Sequence, residues 1–460
     1  MDSPWLQDSY SLVETVRPLF LKVDGERFTV LINPDLGSWI ALSAEEYERL
    51  KKSELTTVEW EGLFLRGIAK KIKGDKVVKL EFPKPAEYPS LFIINITTKC
   101  NLNCKYCFAN SGPSGSDMSE EVMIETIKQA LQMPEISKVI FEFQGGEPTI
   151  NFKGIKRFVE LAEEINKSFG KSMSYRIETN GTLINEEMAK FFYEHRIEIG
   201  VSIDGPAEIN DATRVYQNGK GTFEEIMKGV RTLRNAGYKV LGSVCTINKY
   251  NVEHPREIVE FFKKENFSFK PRPTNILGRE KENHTAPDPE KWFEAYKTMY
   301  FYSKELGVDN SSVHIYEENT YTPFRDYMCL RSPCGAAREV VSINPNGDVY
   351  PCDGFKGVEE FKMGNILNEK IVDMLKKPFI VKLRNRTWKD IPRCNSCVFH
   401  GMCGSCVYSA YGAFGDIYRE DPECLARKKI FLFLIENWIR ENMLKKTAVK
   451  NNVSAPNTTH

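Results

Sequence analysis

The stretch Cys100-Asn101-Leu102-Asn103-Cys104-Lys105-Tyr106-Cys107 places three cysteines within eight residues, at the spacing C-x3-C-x2-C. Such close pairs are poorly placed for ordinary disulfide bridges, and disulfides are rare in a reducing cytoplasm. Three soft thiolates on one short loop suit an iron–sulfur cluster that needs four ligands and receives three, so that one iron stays open. A zinc ion with its fourth ligand elsewhere is the alternative. The loop is therefore predicted to hold a metal centre.

This loop follows the first of six strand-like runs that alternate with helical segments. The runs cover residues 91–96, 139–143, 174–178, 197–203, 240–247 and 267–270, with helices predicted, for example, over 120–132 and 223–236. Such alternation predicts an α/β fold with a parallel sheet, doubly wound or closed into a barrel, and functional residues on the loops after the strands. The loops at 145–148, 179–181, 204–205 and 270–273 are therefore expected to share one pocket with the cysteine loop.

The cysteine loop, with Tyr106 before its last cysteine, resembles that of the radical S-adenosylmethionine (SAM) enzymes. The resemblance implies a partial (β/α)6 barrel of the TIM type and a 4Fe–4S cluster on Cys100, Cys104 and Cys107. The open iron of that cluster binds the amino and carboxylate groups of SAM, and one electron cleaves SAM to a 5'-deoxyadenosyl radical that abstracts hydrogen. Tyr106 is expected to pack on the adenine, with simple loop packing as the alternative.

The same resemblance implies further contacts to SAM. The segment Gln144-Gly145-Gly146-Glu147-Pro148 is similar to the family's GGEP element, whose glycines let backbone approach the methionyl amine, although alone it is an ordinary turn. Ser202 and Arg214 match positions that contact the ribose and the methionine carboxylate, which arginine binds through paired donors. Asn180 and Val244 lie on neighbouring strand ends. For these two, a turn residue and a core strand residue are the alternatives.

Eight more cysteines form a second set downstream. Their spacing is Cys329-x4-Cys334, Cys352, then Cys394-x2-Cys397-x5-Cys403-x2-Cys406-x17-Cys424, with Gly347 before Cys352. The pattern resembles the SPASM extension of radical SAM enzymes, except that the family has x3 between the residues matching Cys403 and Cys406. By resemblance to members with two auxiliary 4Fe–4S clusters, the first takes Cys329, Cys334, Cys352 and Cys406, and the second takes Cys394, Cys397, Cys403 and Cys424. Alone, residues 394–406 are also typical of a zinc ribbon.

Three such clusters use eleven of the twelve cysteines and leave Cys245, which the pattern predicts to be a buried core thiol. For Cys329 a free thiol is the alternative, because some relatives leave an auxiliary iron open to substrate. Asp353 follows Cys352 directly. In sulfatase-maturating relatives an aspartate at this position is a proposed base, so Asp353 is the candidate catalytic residue. A loop aspartate that satisfies backbone donors is the alternative.

The chain of 460 residues divides into four predicted parts. Residues 1–88 form a small module, with strands over 20–23 and 28–32 around the hairpin signal Asp24-Gly25, a helix opened by the capping box at 43–46, and a second helix over 58–70. Prolines at 83, 85 and 89 mark a linker. The barrel is predicted over 89–310 and the SPASM domain over 311–444, ending in a helix over 422–443, and the tail 445–460 is predicted to be disordered.

Composition restricts the partners and the compartment. Lys plus Arg and Asp plus Glu each count 63, and the zero net charge argues against a general affinity for nucleic acid or for anionic membranes. The longest apolar run, 430–435, is far shorter than a membrane span, and the start has no signal-peptide pattern. We therefore expect a soluble cytoplasmic protein that binds neither nucleic acid nor membrane.

The resemblance extends from residue 90 to about residue 440 and implies an oxidoreductase that acts on a peptide or protein. Many peptide-maturing relatives carry a winged-helix-like N-terminal module that binds the leader of a precursor peptide. Residues 1–88 fit this pattern, and an exposed strand edge at 28–32 is expected to capture the leader by β-augmentation. A structural cap on the barrel is the alternative.

The predicted function is maturation of a ribosomally made peptide (RiPP) through a thioether or carbon–carbon crosslink, with a flavodoxin- or ferredoxin-like electron donor. The alternative is anaerobic sulfatase maturation, in which a cysteine or serine is oxidised to formylglycine. It is motivated by the match at residues 144–148 and at Asp353. A non-enzymatic iron–sulfur carrier or zinc-binding protein would not require an open iron with a SAM pocket beside it.

Overall fold

The computed structural model describes residues 8–81, 84–322 and 327–444. The predicted disordered tail and Pro83 of the predicted linker lie outside these residues. The N-terminal module contains strands β1 (Ser9–Leu12), β2 (Arg17–Val23), β3 (Glu26–Asn33) and β4 (Ser38–Ser43), helices α1 (Ala44–Lys51) and α2 (Thr57–Leu65), and strands β5 (Ala69–Lys73) and β6 (Lys76–Val78). These strands form two antiparallel sheets, in the orders β2-β3-β4 and β1-β5-β6.

Local sequence accounts for most of this module. Asp24 and Gly25 both have positive φ, at 49° and 94°, as the two-residue turn of the β2–β3 hairpin requires. The predicted capping box is present, because the Ser43 side chain accepts from the Glu46 backbone N–H and the Glu46 side chain accepts from the Ser43 N–H. The predicted extension of the second helix to residue 70 is wrong. The chain turns at Gly67, where φ is 67°, and then enters β5.

The predicted exposed edge at residues 28–32 is also wrong. Strand β3 lies in the middle of its sheet, and its Leu31 pairs with Pro18 on one side and with Ile40 on the other. Val30 and Ile32 are fully buried. The most apolar run of the module, in β3, therefore lies at the centre of the sheet, where β2 and β4 cover both of its edges. The edges of this sheet are β2 and β4.

The barrel region has six parallel strands joined by helices, and each predicted strand is present. Its elements are β7 (Leu91–Thr97), α3 (Glu120–Leu131), β8 (Lys138–Gly145), α4 (Phe152–Asn166), β9 (Ser172–Thr179), α5 (Glu186–Glu194), β10 (Glu198–Ser202), α6 (Ala207–Asp211), α7 (Phe223–Asn235), β11 (Leu241–Ile247), α8 (Pro255–Lys264), β12 (Phe267–Pro273), α9 (Glu280–Asn283), α10 (Pro289–Leu306) and α11 (Ser311–Tyr321). Strands β7 to β12 lie in consecutive order. Consecutive strand order is typical of a barrel, whereas in a doubly wound sheet the order of the strands reverses near the centre of the sheet.

The C-terminal region continues the same sheet. It contains β13 (Val340–Ile343), β14 (Asp348–Tyr350), β15 (Gly364–Asn365), and helices α12 (Ile371–Met374), α13 (Pro378–Asn385), α14 (Pro392–Asn395), α15 (Val407–Phe414) and α16 (Cys424–Ile439). Strand β13 pairs in parallel with β7, and β14 and β15 follow antiparallel. The nine-stranded sheet therefore brings the second cysteine region beside the strand that precedes the first cysteine loop.

Helix α16 joins the N-terminal module to the rest of the molecule. The ring of Trp39 on β4 meets that of Trp438 edge-on at 5.2 Å, and its indole N–H donates to the Thr320 carbonyl at 2.6 Å. Trp39 is buried, so this contact is part of the hydrophobic core. In the described part of the chain, no helix combines the length and the apolar character needed to cross a bilayer.

Candidate active site

The loop with the first three cysteines follows β7 and is held on both sides by hydrogen bonds. The backbone N–H of Lys105 donates to the Thr213 carbonyl at 3.0 Å, and the Arg279 Nε donates to the Cys104 carbonyl at 2.9 Å. Burial, followed by the charge of Glu147 and those of the other two cysteines, raises the pKa of the Cys100 thiol to about 12. Thiolates in this setting need a compensating positive charge, which iron supplies. The donor set therefore fits a metal cluster.

The two glycines of the GGEP segment are required by the cysteine loop itself. Gly146 N–H donates to the Thr97 carbonyl at 3.0 Å, and Glu147 N–H donates to the Lys99 carbonyl at 2.8 Å. A Cβ atom on Gly145 would lie 2.0 Å from the Thr97 carbonyl oxygen, and one on Gly146 would lie 2.2 Å from that of Lys99. Only glycine allows the two backbones to approach this closely. The family resemblance implies that the backbone of these glycines approaches SAM closely. In the structure the same backbone also approaches residues 97–99, just before Cys100.

Glu147 is buried, and both of its carboxylate oxygens accept hydrogen bonds from protein groups. Its Oε1 accepts from the Thr149 N–H at 3.0 Å and from the Thr179 hydroxyl at 2.6 Å, while Oε2 accepts from the Asn180 N–H at 2.6 Å. The Asn180 amide in turn donates to Asn101 Oδ1 at 2.9 Å, within the cysteine loop. Glu147 and Asn180 therefore join the ends of β8 and β9 to that loop.

Tyr106 lies at the centre of a buried polar chain that connects three loops. Its hydroxyl donates to Asp204 Oδ2 at 2.6 Å and accepts from Arg214 Nη1 at 2.8 Å. Asp204 Oδ1 also accepts from the Thr246 N–H at 2.9 Å, at the end of β11. Among the described residues, the buried Arg214 Nε has no hydrogen-bond partner. Arg214 therefore keeps a donor for an external acceptor, which fits the methionine carboxylate predicted for it.

The other predicted SAM contacts lie on adjacent strands. Ser202 on β10 pairs in register with Val244 on β11, and both side chains are half-buried. Gln144 is also half-buried, and its amide donates to the carboxylate of Glu142. Asp204 lies on one of the predicted loops, at 204–205, although no role is predicted for this residue. Its signal was an acidic residue directly after a predicted buried strand.

Asp353 lies where the second cysteine region meets the GGEP segment. Its Oδ2 accepts from Lys356 Nζ at 2.9 Å, and its Oδ1 accepts from the Ser342 hydroxyl at 3.3 Å. Lys356 Nζ also donates to Asn95 Oδ1 at 3.2 Å and to the Gly145 carbonyl at 3.3 Å. The partners of Asp353 are therefore side chains, and one of them binds the GGEP segment directly. Sequence reasoning missed Lys356, because its partners come from three separate segments.

Electrostatic contacts divide the eight downstream cysteines into two groups. The pKa of Cys352 is raised by burial and then by the charges of Cys406, Cys334 and Cys329. Burial raises the pKa of Cys394 to about 11, with contributions from Cys424 and Cys397, and raises that of Cys403 to about 12, with a contribution from Cys394. These are the same two groups of four that the resemblance to the SPASM enzymes implies. Half-buried, all-thiol groups of this kind suit iron–sulfur clusters, and ligation remains a prediction.

All twelve cysteines are free thiols. Cys245 is fully buried on β11, where its Sγ lies 3.4 Å from the Asp204 carbonyl oxygen, as expected for a core thiol. Among the residues that the structure describes, no three His, Cys, Asp or Glu side chains converge to hold a single metal ion.

A group of charged side chains that was not predicted from the sequence lies on the barrel strands β8, β9 and β12: Glu142, Glu178, Lys270 and Arg272. Burial and the charge of Glu142 raise the pKa of Glu178 to about 8. Burial and the charge of Arg272 lower the pKa of Lys270 to about 8. Gly200 provides the space, because a Cβ there would lie 2.3 Å from Glu178 Oε1. These charges lay inside runs that looked like ordinary buried strands.

Replacing Glu178 with glutamine is expected to change how stability depends on pH. The carboxyl pKa rises from 4.5 in the unfolded chain to about 8 in the folded protein, so the wild type loses stability as the pH rises through that interval. Glu178→Gln lacks this loss and should be more stable than the wild type by about 4 kcal/mol at pH 8, and by less than about 1 kcal/mol at pH 5. Urea unfolding at several pH values measures it. Glu187→Gln, whose side chain is 67% exposed, is the control, and parallel pH curves for wild type and Glu178→Gln would contradict the expectation.

Comparison with known proteins gives two family matches. The radical SAM superfamily matches residues 94–262, and the SPASM iron–sulfur cluster-binding domain matches residues 334–398. A cysteine-type anaerobic sulfatase-maturating enzyme of Clostridium novyi is 30% identical over 339 residues, which cover 69% of this chain and 87% of the relative. The antilisterial bacteriocin subtilosin biosynthesis protein AlbA of Bacillus subtilis is 26% identical over 344 residues, covering 71% of this chain and 68% of AlbA. An uncharacterized protein of Archaeoglobus fulgidus is 27% identical over 450 residues, covering 94% and 97%.

Two solved structures share the fold. That of anSMEcpe with bound AdoMet and the Cp18Cys peptide has a TM-score of 0.65 at 23% identity and covers 77% of this chain and 98% of its own. That of Streptococcus suis SuiB bound to the precursor peptide SuiA has a TM-score of 0.55 at 17% identity and covers 90% of this chain and 100% of its own.

Proposed function

The chain belongs to the radical SAM superfamily and carries a SPASM iron–sulfur cluster-binding domain, and from this premise we propose that it crosslinks a ribosomally made precursor peptide through a thioether or carbon–carbon bond. As a relative of sulfatase and peptide maturases, it is an enzyme that modifies a peptide or protein. The proposal chooses between these two classes of substrate.

The N-terminal module is the observation that favours a precursor peptide over a sulfatase as the substrate. The likeness to SuiB leaves out 10% of this chain, which is less than residues 1–88, so it extends into the module. The likeness to anSMEcpe covers only 77% of the chain although it includes 98% of that protein. A module beyond the catalytic fold is what recognition of a leader peptide requires. We propose the edge of β2 for leader capture, since β2 pairs on one side only among the described residues and its Phe20 is 67% exposed.

Three 4Fe–4S clusters and SAM are the proposed cofactors. Cys100, Cys104 and Cys107 would hold the SAM-binding cluster, and the two groups of downstream cysteines would hold the auxiliary clusters. When bound, these groups supply the electron and the 5'-deoxyadenosyl radical that abstracts hydrogen from the substrate. Arg214 would orient the SAM carboxylate, and Ser202 and Val244 would line the pocket beside it. A flavodoxin- or ferredoxin-like protein is the proposed electron donor, and the cytoplasm is the proposed compartment.

Asp353 is the proposed base for the substrate. Its carboxylate is bonded through both oxygens to Ser342 and Lys356, which fixes its direction, and each oxygen keeps a lone pair for a further hydrogen bond. Lys356 Nζ forms an ion pair with this carboxylate, 2.9 Å from its Oδ2. Lys356 also donates to the Gly145 carbonyl and so positions the base relative to the GGEP segment.

Sulfatase maturation is the second candidate function. It is favoured by the 30% identity to the Clostridium novyi enzyme, which this chain covers over 87% of its length. The two functions differ in their products. A crosslink removes two hydrogen atoms from one peptide, whereas formylglycine formation from cysteine also removes the sulfur.

The test is anaerobic incubation of the reconstituted protein with SAM, dithionite and synthetic peptides, followed by mass spectrometry. The peptides are short cysteine-containing sequences encoded beside this chain's gene and a sulfatase-derived peptide with its target cysteine. Loss of two hydrogens from a neighbouring peptide, dependent on its leader, supports the proposal. Formylglycine in the sulfatase peptide alone would replace it with the second candidate.

Asp353→Asn is expected to separate SAM cleavage from product formation. The amide keeps the shape of the side chain but cannot accept the substrate's proton, so product should fall by about 100-fold. Formation of 5'-deoxyadenosine should stay within about threefold of wild type, because the cysteine loop is unchanged. Both products are quantified in the same anaerobic assay. Asp348→Asn, at the start of β14, is the control. An equal fall in both products for Asp353→Asn would contradict a role as base.

A further inference from the structure

Tyr408 has a buried hydroxyl group for which the described protein offers no acceptor. The residue lies on α15, is 6% exposed, and its Oη has no hydrogen-bond partner among the described residues. Buried hydroxyls are nearly always hydrogen-bonded, so an orphan at this position needs an explanation. An acceptor that belongs to a bound cofactor is one.

The ring of Tyr408 is held rigidly. It meets the rings of Phe108 at 6.0 Å and Phe355 at 5.8 Å, both nearly edge-on. A Cβ atom on Gly354 would lie 2.4 Å from the Tyr408 Cγ, so the ring packs directly on the backbone of this glycine. With three sides occupied, the hydroxyl has one fixed direction and cannot swing toward solvent.

Tyr408 lies among the proposed ligands of the first auxiliary cluster. Tyr408 follows Cys406 by two residues, and the Gly354 on which its ring packs follows Cys352 by two. Cys334, Cys352 and Cys406 all pack against the same apolar cluster as Tyr408. The charges of Cys406 and Cys352 also raise the pKa of Tyr408, next after burial itself. Asp353 is a third neighbour, and its carboxylate, which is bonded to Ser342 and Lys356, forms no hydrogen bond with the Tyr408 hydroxyl.

We propose that the Tyr408 hydroxyl donates a hydrogen bond to a sulfur of the first auxiliary cluster and thereby raises the reduction potential of that cluster. The reduced cluster carries one more negative charge than the oxidised one, so a donated hydrogen bond stabilises the reduced form more. Hydrogen bonds to the sulfurs are among the factors that set such potentials. Tyr408 is thus a positioning residue that favours uptake of an electron by this cluster. The inference rests on the two auxiliary clusters of the proposed function.

The experiment is an anaerobic redox titration of the reconstituted full-length protein, followed by electron paramagnetic resonance. Four proteins are compared: wild type, Tyr408→Phe, Tyr411→Phe and Cys352→Ala. Tyr408→Phe keeps the ring and its packing and removes only the hydroxyl. Tyr411→Phe is the matched control, since Tyr411 is on the same helix, also packs near Phe355, and directs its hydroxyl to Glu360 at 3.2 Å. Cys352→Ala identifies the redox transition of the first auxiliary cluster by its loss.

In Tyr408→Phe that transition is expected to shift so that reduction is three- to tenfold less favourable, and a tenfold change equals about 59 mV for one electron. Tyr411→Phe should leave it unchanged. In D2O, the cluster in Tyr408→Phe should couple to one exchangeable deuteron fewer than in wild type, because the backbone N–H groups of Gly354 and Ser409, which donate to Cys352 and Cys406, are present in both.

The inference is overturned if the transition in Tyr408→Phe matches wild type at equal iron content, or if Tyr411→Phe shifts it equally. It also fails if Cys352→Ala loses no transition, because the first auxiliary cluster would then not exist on these ligands. None of these results concerns the SAM-binding cluster. Failure of the proposed function would instead appear as wild type that forms no 5'-deoxyadenosine or modifies no peptide.

Discussion

Cys104→Ala is expected to abolish the formation of 5'-deoxyadenosine from SAM. Cys104 is the buried member of the three-cysteine loop, and a 4Fe–4S cluster left with two thiolates loses both its stability and its SAM site. The loss should exceed about 1,000-fold, because no other group in the loop can take over a soft metal ligand's role. Anaerobic reconstitution with iron and sulfide, followed by chromatography of the nucleoside after addition of SAM and dithionite, measures it. Iron should fall from about twelve atoms per chain to about eight, four for each cluster.

The control for this experiment is Cys245→Ala. Cys245 is also fully buried, and it is the cysteine to which no cluster is assigned. Its replacement removes a buried thiol of similar size and should leave iron content and nucleoside formation within about twofold of wild type. If Cys104→Ala still formed 5'-deoxyadenosine at a rate near that of wild type, the assignment of the SAM-binding cluster would be wrong.

Gly145→Ala is expected to damage both the fold of the site and its affinity for SAM. Gly145 has a φ of 140°, which side-chain-bearing residues rarely adopt, and a Cβ there would lie 2.0 Å from the Thr97 carbonyl oxygen. Backbone strain and overpacking together should cost on the order of 3–5 kcal/mol. The GGEP segment can relieve the clash only by moving away from the cysteine loop and from Lys356. SAM binding, measured by its effect on the cluster's electron paramagnetic resonance, should weaken by more than about 100-fold.

Gly112→Ala is the matched control for Gly145→Ala. Gly112 also lies beside the cysteine loop, since its carbonyl accepts from the Cys100 N–H at 2.6 Å, but a Cβ on it would meet no atom within 4 Å. This variant should bind SAM and unfold like wild type. Equal stability and SAM affinity in Gly145→Ala would show that the two backbones need not approach as closely as they do here.

The N-terminal module shows where sequence patterns mislead. The hairpin at Asp24-Gly25 and the capping box at Ser43 were predictable, because each depends on residues within four positions of one another. The central position of β3 in its sheet was not predictable, because it depends on β2 and β4 pairing with opposite sides of the same apolar strand. The apolar residues 28–32 had suggested an exposed edge that binds another strand, but their apolar character is the reason that β3 is buried in the middle of the sheet.

The candidate site divides in the same way. The two cysteine patterns, the six strands that alternate with helices and the loops after them were predictable from the sequence, because spacing along the chain expresses ligand geometry and strand period directly. The contacts within the site were not predictable: Glu147 and Asn180 bond to neighbouring loops, Asp204 joins Tyr106 to β11, Lys356 joins Asp353 to Gly145, and Tyr408 lies between two cysteine segments. These contacts connect residues far apart in the chain, and their hydrogen bonds form only when several strand ends meet at one edge of the sheet.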